Sequence, residues 1–351
     1  YSLAFGPDFH GLIGKLDWVG LSGVGAVPNK DYAATIPHSA FMIFQAMFAI
    51  ITPALIIGAY AERVKFPAFL LFTVLWATFV YDPLAHWVWG TGGWIKSLGG
   101  LDFAGGIVVH VSSGISALVL ALLLGKRVGY NHKPIRPHNL PFTVLGAALL
   151  WFGWFGFNAG SALAADGLAA TAFVNTNTAT AAAGLAWALI EWRQNGSPTI
   201  LGTATGAVAG LVAITPACGF VNPMNAMLIG IIVAFVCYIA VAVMKGKLGY
   251  DDSLDAFGVH GVGGTVGTLL TGIFAQKTIN TAGADGLVFG NLHTFGIQCL
   301  MLVATIVFAA MMTFIIFKIV DAAIGMRVEE KNEIIGLDLT QQSEAAYTVI
   351  E

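Results

Sequence analysis

The sequence predicts an all-α polytopic membrane protein, and three observations carry that expectation. Of 351 residues, 57% are hydrophobic and only 10% charged, with a mean hydropathy of +0.80. Soluble domains carry about 25% charged residues, so a soluble chain of this size could not cover its surface. The apolar residues also fall in long blocks. No Lys, Arg, Asp or Glu lies between Asp31 and Glu62, between Arg136 and Asp166, or between Arg193 and Lys245. Crossing the hydrocarbon takes roughly 20 helical residues, so each block is one membrane helix or a pair of them, whereas a strand barrel would show short alternating segments. Lastly, the 43 glycines, with Ala beside them throughout, are the composition of membrane helices in close contact.

The composition also excludes function classes. A net charge of -3 with no basic tract does not suit nucleic acid. Cys218, Cys237 and Cys299 are scattered in apolar sequence without metal spacing and read as small buried hydrophobes. No His-Glu-x-x-His occurs, and Tyr81-Asp82 lacks the Gly-x-Gly-Asp partner of an intramembrane aspartyl protease. No enzyme activity, cofactor or metal is expected.

In chain order, residues 1–36 form a polar, Gly-rich approach, and nine spans follow at about 37–60, 66–89, 103–125, 141–163, 168–190, 199–217, 223–244, 256–276 and 296–320. The first carries Phe44 and Phe48, one turn apart. The second ends among Trp87, Trp89 and Trp94, with Asp82 before Pro83 expected to anchor a helix end. The third enters after Asp102 and carries His110. The fourth contains Trp151-Phe-Gly-Trp154-Phe-Gly-Phe157-Asn-Ala-Gly-Ser161, with Phe157 and Ser161 on one face. The fifth to seventh extend the uncharged blocks, and the eighth enters after Asp255 and carries His260. The membrane domain is thus placed at 1–320 and a charged tail at 321–351. Basic residues orient the chain. Arg63, Lys65, Lys126, Arg127, Lys133, Arg136, Arg193, Lys245, Lys247, Lys318, Arg327 and Lys331 share one side. Lys15, Lys30, Lys96 and Lys277 share the other. The richer side, with the tail, is expected in the cytoplasm.

The polar residues at membrane depth are the candidate functional groups. Eight residues of helix from Asp102 to His110 cover about 12 Å, and half the hydrocarbon is about 15 Å, so His110 is expected near the midplane. His260 lies several residues deep from the opposite face. Spans three and eight are five apart and share an acid, small residues and a histidine, the pattern of an inverted repeat. Such a repeat would bring the histidines together at the centre. A neutral imidazole pair offers one donor and one acceptor to a small polar molecule. Ionisable groups in spans are usually functional, although each histidine could instead satisfy a backbone carbonyl across a helix contact. The aromatics read either as an interfacial belt or as a cation-binding mouth above an aromatic constriction. Asp102 and Asp255 suit helix N-termini, and Asp102 could also bias the mouth toward cations.

These residues sit in stretches that together are highly specific: Thr52-Pro-Ala-Leu-Ile-Ile-Gly-Ala-Tyr-Ala-Glu-Arg63, Pro83-Leu-Ala-His-Trp-Val-Trp89-Gly, Leu101-Asp-Phe-Ala-Gly-Gly-Ile-Val-Val-His110, Lys126-Arg-Val-Gly-Tyr, Pro137-His-Asn-Leu-Pro141, Gly153-Trp-Phe-Gly-Phe-Asn-Ala-Gly-Ser161, Thr215-Pro-Ala-Cys-Gly219 and Asp255-Ala-Phe-Gly-Val-His-Gly-Val262. Gly325-Met-Arg-Val-Glu-Glu with Gly336-Leu-Asp-Leu in the tail belongs with them. Nearly the whole chain resembles the ammonium transporter family, which includes the Rh proteins, and in particular its bacterial and archaeal members.

The resemblance implies eleven spans in an inverted five-plus-five repeat, a homotrimer with one pore per subunit, an outside N-terminus and a cytoplasmic C-terminus in the prokaryotic plasma membrane. It further implies that His110 and His260 are the paired pore histidines. Trp89, Phe48, Ser161 and Phe44 would form the outer ammonium site, Phe48 and Phe157 a stacked phenyl gate, and Asp102 and Trp154 would support them. NH4+ would be held outside, deprotonated and passed as NH3, and the tail could meet the nitrogen-regulatory PII signal protein. An ammonium sensor on the same fold and an ion-coupled transporter of another solute are the alternatives. Two departures stand out. The family's first span and most of its second are missing before Tyr1, so the complete protein is expected to be longer. The segment Gly90-Thr91-Gly92-Gly93-Trp94 carries an extra residue in the mouth loop.

Overall fold

The computed structural model describes residues 1–130, 135 and 137–347. The basic residues Lys133 and Arg136 and the last four residues of the tail lie outside the described residues. All nine expected spans are helical. We label them α1 (His38–Ala54), α2 (Phe66–Trp76, Ala77–Tyr81 and Asp82–Trp89 in succession), α3 (Gly106–Val111 and Ser112–Leu124), α4 (Leu140–Gly160), α5 (Gly167–Asn195), α6 (Ile200–Ile214), α7 (Pro223–Tyr238, Ile239–Met244 and Lys245–Leu248), α8 (Phe257–Gly261 and Val262–Phe274) and α9 (Leu292–Ile324). A turn of helix at Ser2–Phe5 and a two-stranded ribbon, Asp8–Phe9 against Ile13–Gly14, precede them.

Among the described residues, seven of these helices are long and apolar enough to cross a membrane. The other two, α5 and α6, pack chiefly against each other and α7. α5 carries Asn175, Thr176 and Thr180 fully buried, which lowers its apolarity. The Asn175 amide N–H donates to the Cys218 and Val221 carbonyls at 2.8 and 2.6 Å while its Oδ1 has no protein partner, and Thr176 and Thr180 donate to carbonyls one turn back. α9 runs past its expected end at 320 to Ile324, where Gly325 at φ +71° turns the chain out of the helix, a conformation that suits glycine. α5 likewise continues five residues beyond 190.

Four of the helices contain a π-helical stretch: Ala77–Tyr81 in α2, Gly106–Val111 in α3, Ile239–Met244 in α7 and Phe257–Gly261 in α8. Such bulges are rare and concentrate at functional sites. They fall in the second and third helices and again in the seventh and eighth. The first and sixth also match. α1 closes on Thr52-Pro53 and α6 on Thr215-Pro216, with each threonine hydroxyl donating to a carbonyl four residues back, Phe48 at 2.6 Å and Leu211 at 2.8 Å.

Asp82 departs from expectation. It lies inside the continuous α2, directly after the π-helical turn, because a bulge lets the helix run through the Asp82-Pro83 step that would otherwise end it. At one end of the bundle, Asp251 is fully buried and accepts from Arg63 Nη1 at 2.8 Å and from Arg127 through N, Nε and Nη2 at 2.8–2.9 Å. Burial alone would raise the Asp251 carboxyl, yet the hydrogen bonds and charges of Arg127 and Arg63 hold it below the usual carboxylate range. The tail folds back over this end. Lys65 N–H donates to Met326 O at 2.9 Å, Val328 N–H to Arg63 O at 3.0 Å, and Arg327 reaches the carbonyls of Leu124 and Lys126 and the carboxylate of Glu333.

Candidate transport pore

The site is assembled where α3 and α8 cross. Asp102 starts α3. Its carboxylate accepts four successive backbone N–H groups: Gly105 at 2.8 Å, Gly106 at 2.6 Å, Ile107 at 3.0 Å and Val108 at 3.3 Å. These are the orphan donors of a helix N-terminus, and the carboxylate also complements the helix dipole there. The loop entering Asp102 is fixed by Gln298 of α9, whose side-chain amide both donates to and accepts from the Leu101 backbone at 2.8 Å. Asp102 is therefore turned into its own helix. Of the two roles read from sequence, the structure supports the cap.

The equivalent residue before His260 is not Asp255. Asp255 has a left-handed backbone, φ +56°, and its carboxylate pairs with Lys245 at 2.6 Å. The α8 terminus is served instead by Asp252, which accepts from Phe257 N–H at 2.8 Å. The correction restores a regularity: Asp102 precedes His110 by eight residues and Asp252 precedes His260 by eight. The residue after each aspartate donates its N–H to the chain just beyond α1 or α6, Ser253 to Gly58 O at 2.8 Å and Phe103 to Pro216 O at 3.2 Å.

Each histidine lies in the π-helical stretch that its aspartate begins. The stretch around His260 packs on α3 beyond His110, and that around His110 packs on α8 beyond His260, which is an antiparallel crossing. Glycines permit the approach. A Cβ on Gly114 would strike the Gly261 backbone, and one on Gly264 would strike Gly106 O and His110 Cβ. The result is direct contact of the imidazoles, Nδ1 to Nδ1 at 3.3 Å with ring centroids 5.3 Å apart. One nitrogen must donate and the other accept, so both rings cannot be charged in this contact. His110 Nε2 has no protein partner. His110 is fully buried and His260 nearly so.

From His110 a column of rings runs outward. Trp154 stacks on His110 at 5.3 Å and 23°, and Phe157 at 6.0 Å and 14°. Trp154 is held by its indole N–H, which donates to Thr215 Oγ1 at 2.9 Å. Phe157 then meets Phe48 at 4.5 Å, with planes 51° apart. The Phe48/Phe157 pair is thus tilted and not stacked: Phe157 lies parallel to His110 and Trp154 and so presents an angled face to Phe48. Above it, a cavity of about 180 Å³ is lined by Phe44, Phe48, Trp89, Ser161, Tyr32 and Lys96 among others. Phe48 packs edge-on against Phe44 and Trp89 at 4.9 and 5.7 Å. Trp89 is braced by its indole N–H on Asp102 O at 2.9 Å. Ser161 donates to Phe157 O at 2.9 Å, which leaves its oxygen free to accept. All four residues expected at an outer site therefore share one cavity, and the histidines lie beneath it along the same column. Sequence reasoning did not find Tyr32 or Lys96, which reach the cavity from a loop and from the short helical turn Trp94–Ser97 outside the spans. Among the described residues no cluster of three or more His, Cys, Asp or Glu could hold a metal.

The profile of the Ammonium Transporter Family matches residues 1–347. The chain belongs to the ammonium transporter family. It is 56% identical to the ammonium transporter of Bacillus subtilis over 99% of this chain and 85% of that protein. It is 49% identical to ammonium transporter Amt1 of Archaeoglobus fulgidus, again over 99% and 85%. The crystal structure of Candida albicans Mep2 superposes with a TM-score of 0.88 at 38% identity, over 94% of this chain and 74% of that one. A structure described as a sensor Amt protein superposes at 0.86 and 31% identity, over 97% and 84%. Membership makes the chain a multi-span membrane transporter and not an enzyme.

Proposed function

We propose that the chain carries ammonium across the plasma membrane by binding NH4+ at Trp89, Phe48, Phe44 and Ser161, transferring its proton to water before or at the Phe48/Phe157 constriction, and passing NH3 along His110 and His260 to take up a proton from water on the inner side. The observation that carries this reading is the buried histidine pair at the foot of an aromatic column. Aromatic faces and a free hydroxyl lone pair suit an ammonium ion. An alkali ion, which needs its hydration replaced by several oxygens, finds no such cage among these residues. Below the mouth the column holds rings and no carboxylate, so a full charge would lose its hydration uncompensated. Ammonia would keep one hydrogen bond at a time to the imidazoles.

The same reading gives the assembly. The basic loops and the tail meet at the Arg63–Asp251–Arg127 face, which supports a cytoplasmic tail by the loop-charge rule. It also leaves the tail, beginning near residue 321, where a PII signal protein could reach it. The paired Thr-Pro closures, π-helical stretches and Asp-to-His spacings support an inverted five-plus-five repeat with all nine helices as spans. α4 is the most exposed long helix, with Phe142, Leu145, Leu149 and Phe152 outward, and supports a trimer contact or a lipid-facing surface.

Simultaneous current and methylammonium flux through reconstituted protein, wild type beside His110→Ala and His260→Ala, tests the pore. Altered charge per solute or K+ leakage in the variants is expected. If both match wild type in flux, charge coupling and K+ exclusion, the pair is structural and the reading fails. A wild type that binds ammonium but moves none would favour the sensor reading.

A further inference from the structure

The outer mouth already contains an ammonium group. Lys96 lies in the short helical turn Trp94–Ser97, and its side chain reaches back into the cavity above Phe48. Its Nζ donates to the Trp89 carbonyl at 2.9 Å and stands 5.6 Å from the centre of the Tyr32 ring. Asp31 lines the same cavity but makes no ion pair with it within 4 Å among the described residues. A backbone carbonyl and an aromatic face are the groups that would hold a free alkylammonium. Tyr32 is not a loose ring. Its hydroxyl donates to Phe5 O at 2.7 Å and accepts from Thr91 N–H at 3.0 Å, and its ring stacks on Phe41 at 5.0 Å. The subsite is built, and the chain fills it with its own lysine.

We propose that Lys96 is a resident competitor in the outer mouth: it occupies a second cation subsite formed by the Trp89 carbonyl and the Tyr32 ring, and its charge lowers the affinity of the adjoining site for ammonium-type cations. The inference rests on the transport reading above. The simpler role for Lys96 is to cap the last carbonyls of α2, where a cation suits a helix C-terminus. The two roles separate by variant. Lys96→Gln can still donate to the Trp89 carbonyl but carries no charge. Lys96→Arg keeps both the charge and the donor.

The test is methylammonium uptake into proteoliposomes containing the full chain, with KM and maximal rate measured at low and high sodium gluconate. At low salt, Lys96→Gln should lower KM about two- to threefold with the maximal rate unchanged, the size of effect a like charge about 10 Å away exerts through water. Lys96→Arg should stay at the wild-type KM. Raising salt to about 0.5 M, where the screening length falls to a few ångströms, should bring wild type and Lys96→Gln together. A Lys96→Gln protein with wild-type KM at low salt overturns the proposal. So does an equal fall in KM for Lys96→Arg, or a KM change that salt leaves untouched. A wild type that carries no methylammonium overturns the transport reading, and this inference with it.

Discussion

Replacing Asp102 with Asn separates positioning from cation attraction at the pore. The carboxylate accepts four N–H groups, two on each oxygen. An asparagine can offer one oxygen to two of them and turns an NH2 toward the others. Two buried donors are then orphaned, at about 1–3 kcal/mol each, so a loss of about 2–6 kcal/mol is expected. The strain falls on the first turn of α3, which leads directly into His110, and on the carbonyl that braces the Trp89 indole. Thermal unfolding of the detergent-solubilised protein should show a markedly lower midpoint for Asp102→Asn, with maximal methylammonium flux reduced in parallel. KM among the molecules that remain folded should barely change, because the charge is spent on the helix and not on the mouth. Asp252→Asn is the internal control. Asp252 accepts one N–H in the described geometry, and its Oδ1 has no partner, so its loss should cost only about 1–2 kcal/mol. An Asp102→Asn protein with wild-type stability and a several-fold higher KM would refute this account and return Asp102 to cation recruitment.

Asp251→Asn removes the negative charge and one of the two acceptor oxygens shared by Arg63 and Arg127, and leaves the buried guanidinium charges uncompensated. It should destabilise the protein by about 3–5 kcal/mol and loosen the tail, read as faster proteolysis beyond Gly325; unchanged melting and cleavage would show the cluster to be dispensable. Because the folded Asp251 carboxyl is held below its unfolded value, its contribution is fully present above about pH 4 and is lost as pH falls through the folded value. Wild type should therefore lose stability on acidification below that point more steeply than Asp251→Asn. Gly114→Ala should cut transport and folded yield, because its methyl group meets the Gly261 backbone and not a side chain that can swing aside, an overpacking cost of about 1–3 kcal/mol. A Gly114→Ala protein with full flux would mean that α3 and α8 need not cross as closely as they do.

Much of the fold was legible because lipid imposes simple rules. Long uncharged blocks have to be helices, and all nine are. The histidine pair was legible because two ionisable residues at depth in an apolar chain have few innocent explanations, and the aromatic mouth because Phe44, Phe48, Phe157 and Ser161 keep helical spacing. What hid from the sequence hid for physical reasons. Tyr32 arrives on a loop and Lys96 on a single helical turn between spans, segments too short for periodicity to say which way a side chain turns. The tilt between Phe48 and Phe157 depends on Phe157 lying parallel to His110 and Trp154, a packing result with no sequence signature. The ends of α5 and α9 were set short because a few polar residues can extend a helix beyond the membrane until a positive-φ glycine, Gly196 or Gly325, stops it.

The misassignment of Asp255 is the most informative of these. Reading the nearest acid before the helix as its cap ignored geometry, since a cap must stand outside the first turn with its carboxylate aimed back at free N–H groups. Asp255 stands directly before the helix, but its left-handed backbone and its ion pair with Lys245 turn the carboxylate away from the free N–H groups, whereas Asp252 stands at the same eight-residue distance from its histidine as Asp102 does. That common distance has a physical origin. A carboxylate at the mouth of each helix anchors the free donors, a π-helical stretch follows directly, and the histidine falls at or near its far end. The extra residue in a π turn rotates the side chains that follow relative to an ordinary helix, which lets both imidazoles leave their helices toward the crossing point. On this argument the pair is aimed by the two aspartates and the two bulges together, and an insertion of one residue between Asp252 and His260 should disable the pore as thoroughly as removing the histidine itself.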